Sequence, residues 1–268
     1  MSTSRSGPRH RHVGFRLPAG LLPVIAVALI VTGCATGPSP ETQGKATWAG
    51  KPIGPPPAPN PSVRRAIIAR ANGEWDYFGR QTVVFRGSDE SIPHVGDWED
   101  DDPRHSRRVN AYWRAVGHPE IDGMDCDKPW SAAFISWVMQ HAGVPEYQFQ
   151  PAIAHWVYLS RAIDDAPLPA RWFVPRRVED YSPRPGDLIC SSRGPRRVRT
   201  FGGYTTPAML RNTSTHCDLV IAVEGRRLQA IGGNVRNSVS MISVELDAKG
   251  RLRDVPRRPW FMILENRL

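Results

Sequence analysis

Pro129-Trp130-Ser131-Ala132-Ala133-Phe134-Ile135-Ser136-Trp137-Val138-Met139 is the stretch around which this chain is organised. A residue before proline is biased out of the α region, so Lys128 marks a boundary and Pro129 takes the first helical position. Ser131 then falls about three residues in, among unpaired amides at the positive end of the helix dipole. Ser131, Phe134, Ile135, Val138 and Ala142 recur at a helical period, which puts Ser131 on the inward face. Trp137 and Met139 widen the apolar coverage and predict burial on more than one side. A hydroxyl in that place is either a nucleophile or a buried group bonded to its own first turn.

Upstream, residues 63–77 and 104–116 carry helical apolar patterns, and 81–85 reads as a short extended segment. Residues 88–102 form an acidic, turn-rich loop. Asp122, Asp125 and Asp127 lie close together but lack a calcium-loop pattern and its closing glutamate, so no metal or other cofactor is expected. Downstream, Gly143-Val144-Pro145 stops the central helix, and 152–163 predicts another with His155, Tyr158 and Leu159 on one side. Residues 164–185 hold five prolines and read as connection. From Gly186 onward the pattern turns to strands at 187–190, 217–223, 227–231, 238–246 and 260–264. Helices first and an antiparallel sheet second make an α+β fold. The loop 191–215 is long enough to suggest function, and carries Arg193, Arg196, Arg197 and Arg199.

His216 begins one strand-like run, and Asn234 follows Ile231-Gly232-Gly233 at the end of another. A nucleophile needs a base within hydrogen-bond reach, and the base needs an orienting partner on its other nitrogen. Ser131, His216 and Asn234 suit those roles. Asp218 is a rival orienter, because two-residue alternation puts it on the same strand face as His216. Without a shared site, His216 is a hairpin-end histidine and Asn234 a turn residue beside glycines.

Gly186-Asp187-Leu188-Ile189, His216-Cys217-Asp218-Leu219-Val220 and Gly232-Gly233-Asn234, downstream of the Pro129–Phe134 stretch, resemble the papain-like NlpC and CHAP superfamily of bacterial cell-wall hydrolases. More closely, residues 63–266 resemble the bacterial family DUF2272. The resemblance implies a papain-like fold of helices packed on an antiparallel sheet. It also implies a catalytic set in which Ser131 occupies the usual cysteine position, His216 the base, and Asn234 or Asp218 the orienter. A hydroxyl is harder to activate than a thiol, whose pKa of about 8.5 a helix N-terminus and a histidine can lower. His155 is placed to face the same cleft or to pack beside it.

Residues 1–33 have the form of a secretory signal: Arg5, Arg9, Arg11 and Arg16, then an apolar run at 21–31 too short to span a membrane comfortably. Val31-Thr32-Gly33-Cys34 resembles a bacterial lipobox, which makes Cys34 a lipid-attachment site. Ala35 after it resembles lipoproteins sent on to the outer membrane, facing the periplasm. Loss of the leader removes four of the positive charges behind the formal +9, leaving +5. Residues 34–62, rich in proline and glycine, read as a tether, and 63–268 as the folded domain. The basic balance favours anionic surroundings such as headgroups or wall polymers. It lacks the finger spacings, phosphate loops and basic helices of nucleic-acid binders, so no nucleic acid is expected as a partner.

With Cys34 lipidated, Cys126, Cys190 and Cys217 remain in an oxidising compartment. Cys190 and Cys217 lie on the two strands flanking the long loop and are expected to form a cross-strand disulfide. The expected function is an envelope lipoprotein that hydrolyses cell-wall peptides through a Ser–His pair. The alternative is a non-catalytic peptidoglycan-binding or scaffold lipoprotein; acyl transfer on lipid has no separate support.

Overall fold

The computed structural model describes residues 46–194 and 203–268. The expected leader, Cys34, and Arg196, Arg197 and Arg199 of the basic loop lie outside the described residues. Among the described residues no helix is long and apolar enough to cross a membrane.

Each long helix starts where local chemistry permits. Asn60 caps α1 (Pro61–Tyr77) and Asp102 caps α2 (Pro103–Ala115), each followed by a proline whose missing N–H costs nothing there. The central helix, α3 (Ser131–His141), begins two residues later than the Pro129 start expected from sequence. Trp130 is the cap: its carbonyl accepts the Phe134 N–H, while its indole is held by Glu99 and packed against Phe78 and Tyr112. Ser131 is therefore the first helical residue, not the third. Then follow α4 (His155–Asp165) and the single turn α5 (Pro207–Leu210).

Eight strands form one sheet in the order β4 (Asp89–His94), β3 (Thr82–Arg86), β9 (Ser240–Glu245), β8 (Arg227–Gly232), β7 (Thr215–Glu224), β6 (Leu188–Ser192), β10 (Trp260–Asn266) and β5 (Phe173–Arg176). Neighbours are antiparallel except β3 and β9. The fold is α+β with a mostly antiparallel sheet, but the expected order of helices first and sheet second is corrected. β3 and β4 precede the central helix, and β5 lies in the proline-rich 164–185 stretch read as connection. β4 and β5 are the two edges of the sheet, and they carry Pro93 and Pro175. An edge strand tolerates a residue that cannot donate to the ladder, so neither needs the alternation that betrays a central strand.

Two-residue alternation divides the sheet's side chains between two cores. Leu188, Cys190, Cys217, Leu219, Met262 and Leu264 join the core built with α1 to α4. Ile189, Val220, Ile242, Val244 and Ile263 join a second, closed by Leu246, Leu252 and Val255 from the β9–β10 connection.

Of the stretch 34–62 read as a tether, the described part from residue 46 is docked on the domain. β1 (Thr47–Trp48) and β2 (Lys51–Pro52) form a small hairpin, and Trp48 is only 4% exposed. Its indole N–H donates to the Thr205 carbonyl at 3.0 Å, and its ring meets Tyr204 edge-on. Gly54 N–H donates to Ala166 O, and Ala170 N–H to Pro55 O, at 2.8 and 2.9 Å. Proline-rich composition argues against an independent core. It does not prevent one tryptophan and a few backbone groups from docking on a core built elsewhere.

Candidate active site

Four polar side chains from three elements converge in the interior. Ser131 and His155 are the first residues of α3 and α4, and His216 and Asp218 stand two apart near the start of β7. Ser131 Oγ lies 2.8 Å from His216 Nδ1 and 2.9 Å from His155 Nε2. His216 Nε2 lies 2.8 Å from Asp218 Oδ1, and Arg258 donates to Asp218 Oδ2 at 3.1 Å. The far nitrogen of His155, Nδ1, meets the Tyr158 hydroxyl. All are buried; Ser131 is 3% exposed and His216 and Asp218 are fully covered.

These contacts fix the direction of every hydrogen bond. Burial would raise the Asp218 carboxyl, but the His216 ring and the Arg258 guanidinium reverse this and hold it below its usual range, so it is ionised. A carboxylate only accepts, so His216 carries its proton on Nε2 and presents a lone pair at Nδ1. Ser131 O–H therefore donates to His216. Its oxygen is left to accept from His155 Nε2–H, and His155 Nδ1 accepts from Tyr158 O–H. The result is one chain running from Tyr158 through His155, Ser131 and His216 to Asp218. Burial, reinforced by nearby Arg193, pushes His216 down to about 3, and burial with the His216 ring likewise pushes His155 well below its usual range. Both imidazoles are neutral at physiological pH, as this direction of bonding requires.

The positioning is built into the sheet. Cys190 and Cys217 stand directly opposite each other on β6 and β7 and are joined by a disulfide, one residue from His216. Gly232, at the end of β8, has no side chain where one would stand: a Cβ there would overlap Asp218 Oδ1 and crowd His216 Nε2. Gly233 similarly admits the Phe134 and Trp130 rings. Of the two orienters left open by the sequence, the geometry brings Asp218 to the histidine. The structure does not bring Asn234 to the histidine: both His216 nitrogens are taken by Ser131 and Asp218, and Asn234 lines a cavity with Arg193, Arg236 and Arg258. The backbone of Asn234 is left-handed, with φ of 53°, which turns the chain away from the strand. Cys126 is exposed and pairs with no cysteine among the described residues, and its thiol is pushed up to about 11 by desolvation and by Glu99, the reverse of an activated nucleophile.

A family model described as an uncharacterised protein conserved in bacteria, DUF2272, matches residues 97–266. The chain belongs to the DUF2272 family. No curated protein and no solved structure matches it. The matched part of this DUF2272 chain contains Ser131, His155, His216, Asp218 and Arg258, whereas α1 and β3 fall before it. The conspicuous Pro185-Gly186-Asp187 run of the DUF2272 chain proves to be a staple. Asp187 accepts from Arg184 N–H and Asn266 N–H, both at 2.8 Å, and Gly186 has φ of 101°. Sequence reasoning missed the roles of Arg258, Tyr158 and Gly232 in this DUF2272 site. The Gly232-Gly233 pair at a strand end was a signal of close backbone approach; nothing in the local sequence marks Arg258.

Among the described residues no group of His, Cys, Asp and Glu could hold a metal ion. The first amides of α3 have no intrahelical partner, and they sit beside Ser131 at the positive end of the helix. The arrangement combines a hydroxyl, a neutral base hydrogen-bonded to it, an anion orienting that base, and free N–H donors.

Proposed function

We propose that this DUF2272 chain is a hydrolase of the acyl-transfer type acting on amide bonds of cell-wall peptides, with a papain-like arrangement in which serine replaces cysteine. The observation that carries this reading is the directional Ser131–His216–Asp218 chain, with Ser131 O–H aimed at a neutral imidazole. As Ser131 Oγ attacks the carbonyl carbon, His216 Nδ1 takes its proton, and Asp218 stabilises the resulting imidazolium. The first-turn amides of α3 receive the developing oxyanion. His216 then gives the proton to the leaving amine, and water repeats the sequence to release the acid. His155 Nε2–H, freed as Oγ becomes an ester oxygen, is a further donor to the tetrahedral centre.

The family resemblance supplies the substrate class, and the lipobox-like Val31-Thr32-Gly33-Cys34 supports a lipid anchor holding the domain at the outer membrane, facing the periplasm. A Cys34→Ala protein is expected in the aqueous phase of a detergent partition, and retention in the detergent phase would remove the anchor. A second reading, a non-catalytic envelope domain, is favoured by the near-complete burial of Ser131 and His216. Muropeptides separate the two. The hydrolase releases new amino termini, and Ser131→Ala and His216→Ala each abolish the release. Muropeptide binding without turnover would assign the scaffold.

A further inference from the structure

On the far side of Asp218 from Ser131 opens a cavity of about 530 Å³, and four of its lining residues are arginines: Arg193, Arg236, Arg257 and Arg258. Two carboxylates answer them. Glu90 takes both Arg236, at 2.6 Å, and Arg257, at 3.4 Å, while Asp218 takes Arg258. Among the described residues the Arg193 guanidinium has no hydrogen-bonding partner, and the carboxylate whose charge reaches it, Asp218, is already held by Arg258 and His216. The cavity thus holds two positive charges in excess, one on a largely enclosed arginine. The Asn234–Asn237 turn shapes the wall, with left-handed backbone at Asn234, Arg236 and Asn237. Near Arg193, the Ser191 hydroxyl, buried opposite His216 in the register, also has no partner among the described residues. Cations crowded this closely repel one another, and burial of a guanidinium that only shares a distant carboxylate is costly unless something anionic completes it.

We infer that this cavity is a binding site for an anionic group, a carboxylate or a phosphate, carried by a small ligand. Arginine forks match the planar or tetrahedral oxygens of such groups and bind them through paired charge-assisted hydrogen bonds. Arg193 and Arg258 form the inner wall, with Arg258 touching Asp218. Arg236 and Arg257, 53% and 60% exposed, form the mouth. Phe85, 3% exposed and beneath Arg258 at 5.3 Å, backs the wall with an apolar ring. The inference does not depend on turnover, because it concerns binding alone.

Calorimetric titration of the full chain tests it with inorganic phosphate and with glutarate, each at constant ionic strength set by sodium chloride. Saturable binding of either is expected, weakened about tenfold in Arg193→Gln and similarly in the surface variant Arg257→Gln. Phosphate binding alone assigns the site to phosphoryl groups, and glutarate binding alone to carboxylates. Absence of saturable binding by both, or undiminished affinity in folded Arg193→Gln and Arg257→Gln proteins, overturns the inference. A protein that binds but hydrolyses no muropeptide leaves it standing and fails the hydrolase reading instead.

Discussion

Ser131 Oγ is held between two imidazoles, donating to one and accepting from the other. The asymmetry originates two residues beyond His216, where the Asp218 carboxylate, clamped by Arg258, accepts from the one N–H of the neutral His216 ring. Asp218→Asn is therefore expected to do two things. On the proposed hydrolase reading it removes the anion that would stabilise the imidazolium, a loss that costs Ser–His–Asp enzymes about 10⁴-fold in turnover. It also strands Arg258 in the interior, at a cost of about 3–5 kcal/mol. Turnover and urea unfolding measured on the same protein check both. Normal turnover in the variant would deny Asp218 its orienting role. Asp218 was legible because two-residue alternation is a local rule. Asn234 could not be excluded from sequence, since its left-handed turn departs from the strand only after Gly232 and Gly233 have let neighbouring side chains in.

At the scale of elements, two helix starts and one strand start are brought to one point. α3 was legible from its apolar period, although its first residue was not, because tertiary contacts of Trp130 decide where the helix begins. The strands β6 to β10 were legible for the same reason of period. The edge strands β4 and β5 were not, because an edge needs neither alternation nor a complete set of donors. The disulfide pins β6 to β7 beside the base and closes a loop of sequence separation 27. Constraint of the unfolded chain by a loop of that size stabilises by about 3–4 kcal/mol. A Cys190→Ala/Cys217→Ala protein is expected to lose that much in denaturant unfolding and, on the proposed hydrolase reading, to lose turnover as the start of β7 loosens. Unchanged stability would show that the strand pairing alone holds the site.

For the whole molecule, the buried site predicts the response to acid. His155 and His216 are held neutral by burial, far below the ordinary 6.5, so the unfolded chain binds two protons that the folded chain refuses as pH falls below about 6.5. Asp187 opposes this: burial raises its carboxyl to about 7, so the folded chain keeps one proton that the unfolded chain releases above about 3.8. Glu99, whose carboxyl burial also raises, works the same way as Asp187 nearer pH 4.5; above that range the two histidines outweigh Asp187, and stability is expected to fall as pH drops below about 6.5. Thermal unfolding across that range checks the sign; a melting temperature that rises toward pH 4.5 would contradict neutral histidines. By itself the sequence determined the α+β class, the helical stretch bearing Ser131, the strand pair bearing the cysteines, and the candidate residues Ser131, His216 and Asp218. These rest on periodicities of two and 3.6 residues, which act between near neighbours. Only the tertiary structure decided that His155 and Tyr158 join the chain of hydrogen bonds, that Arg258 anchors its far end, and that Trp48 docks a segment read as a tether. Those contacts join residues 24 to 157 positions apart, or depend on which way a helix enters the core. No local pattern encodes them, because their energy comes from burial and complementary charge that exist only once the chain has closed.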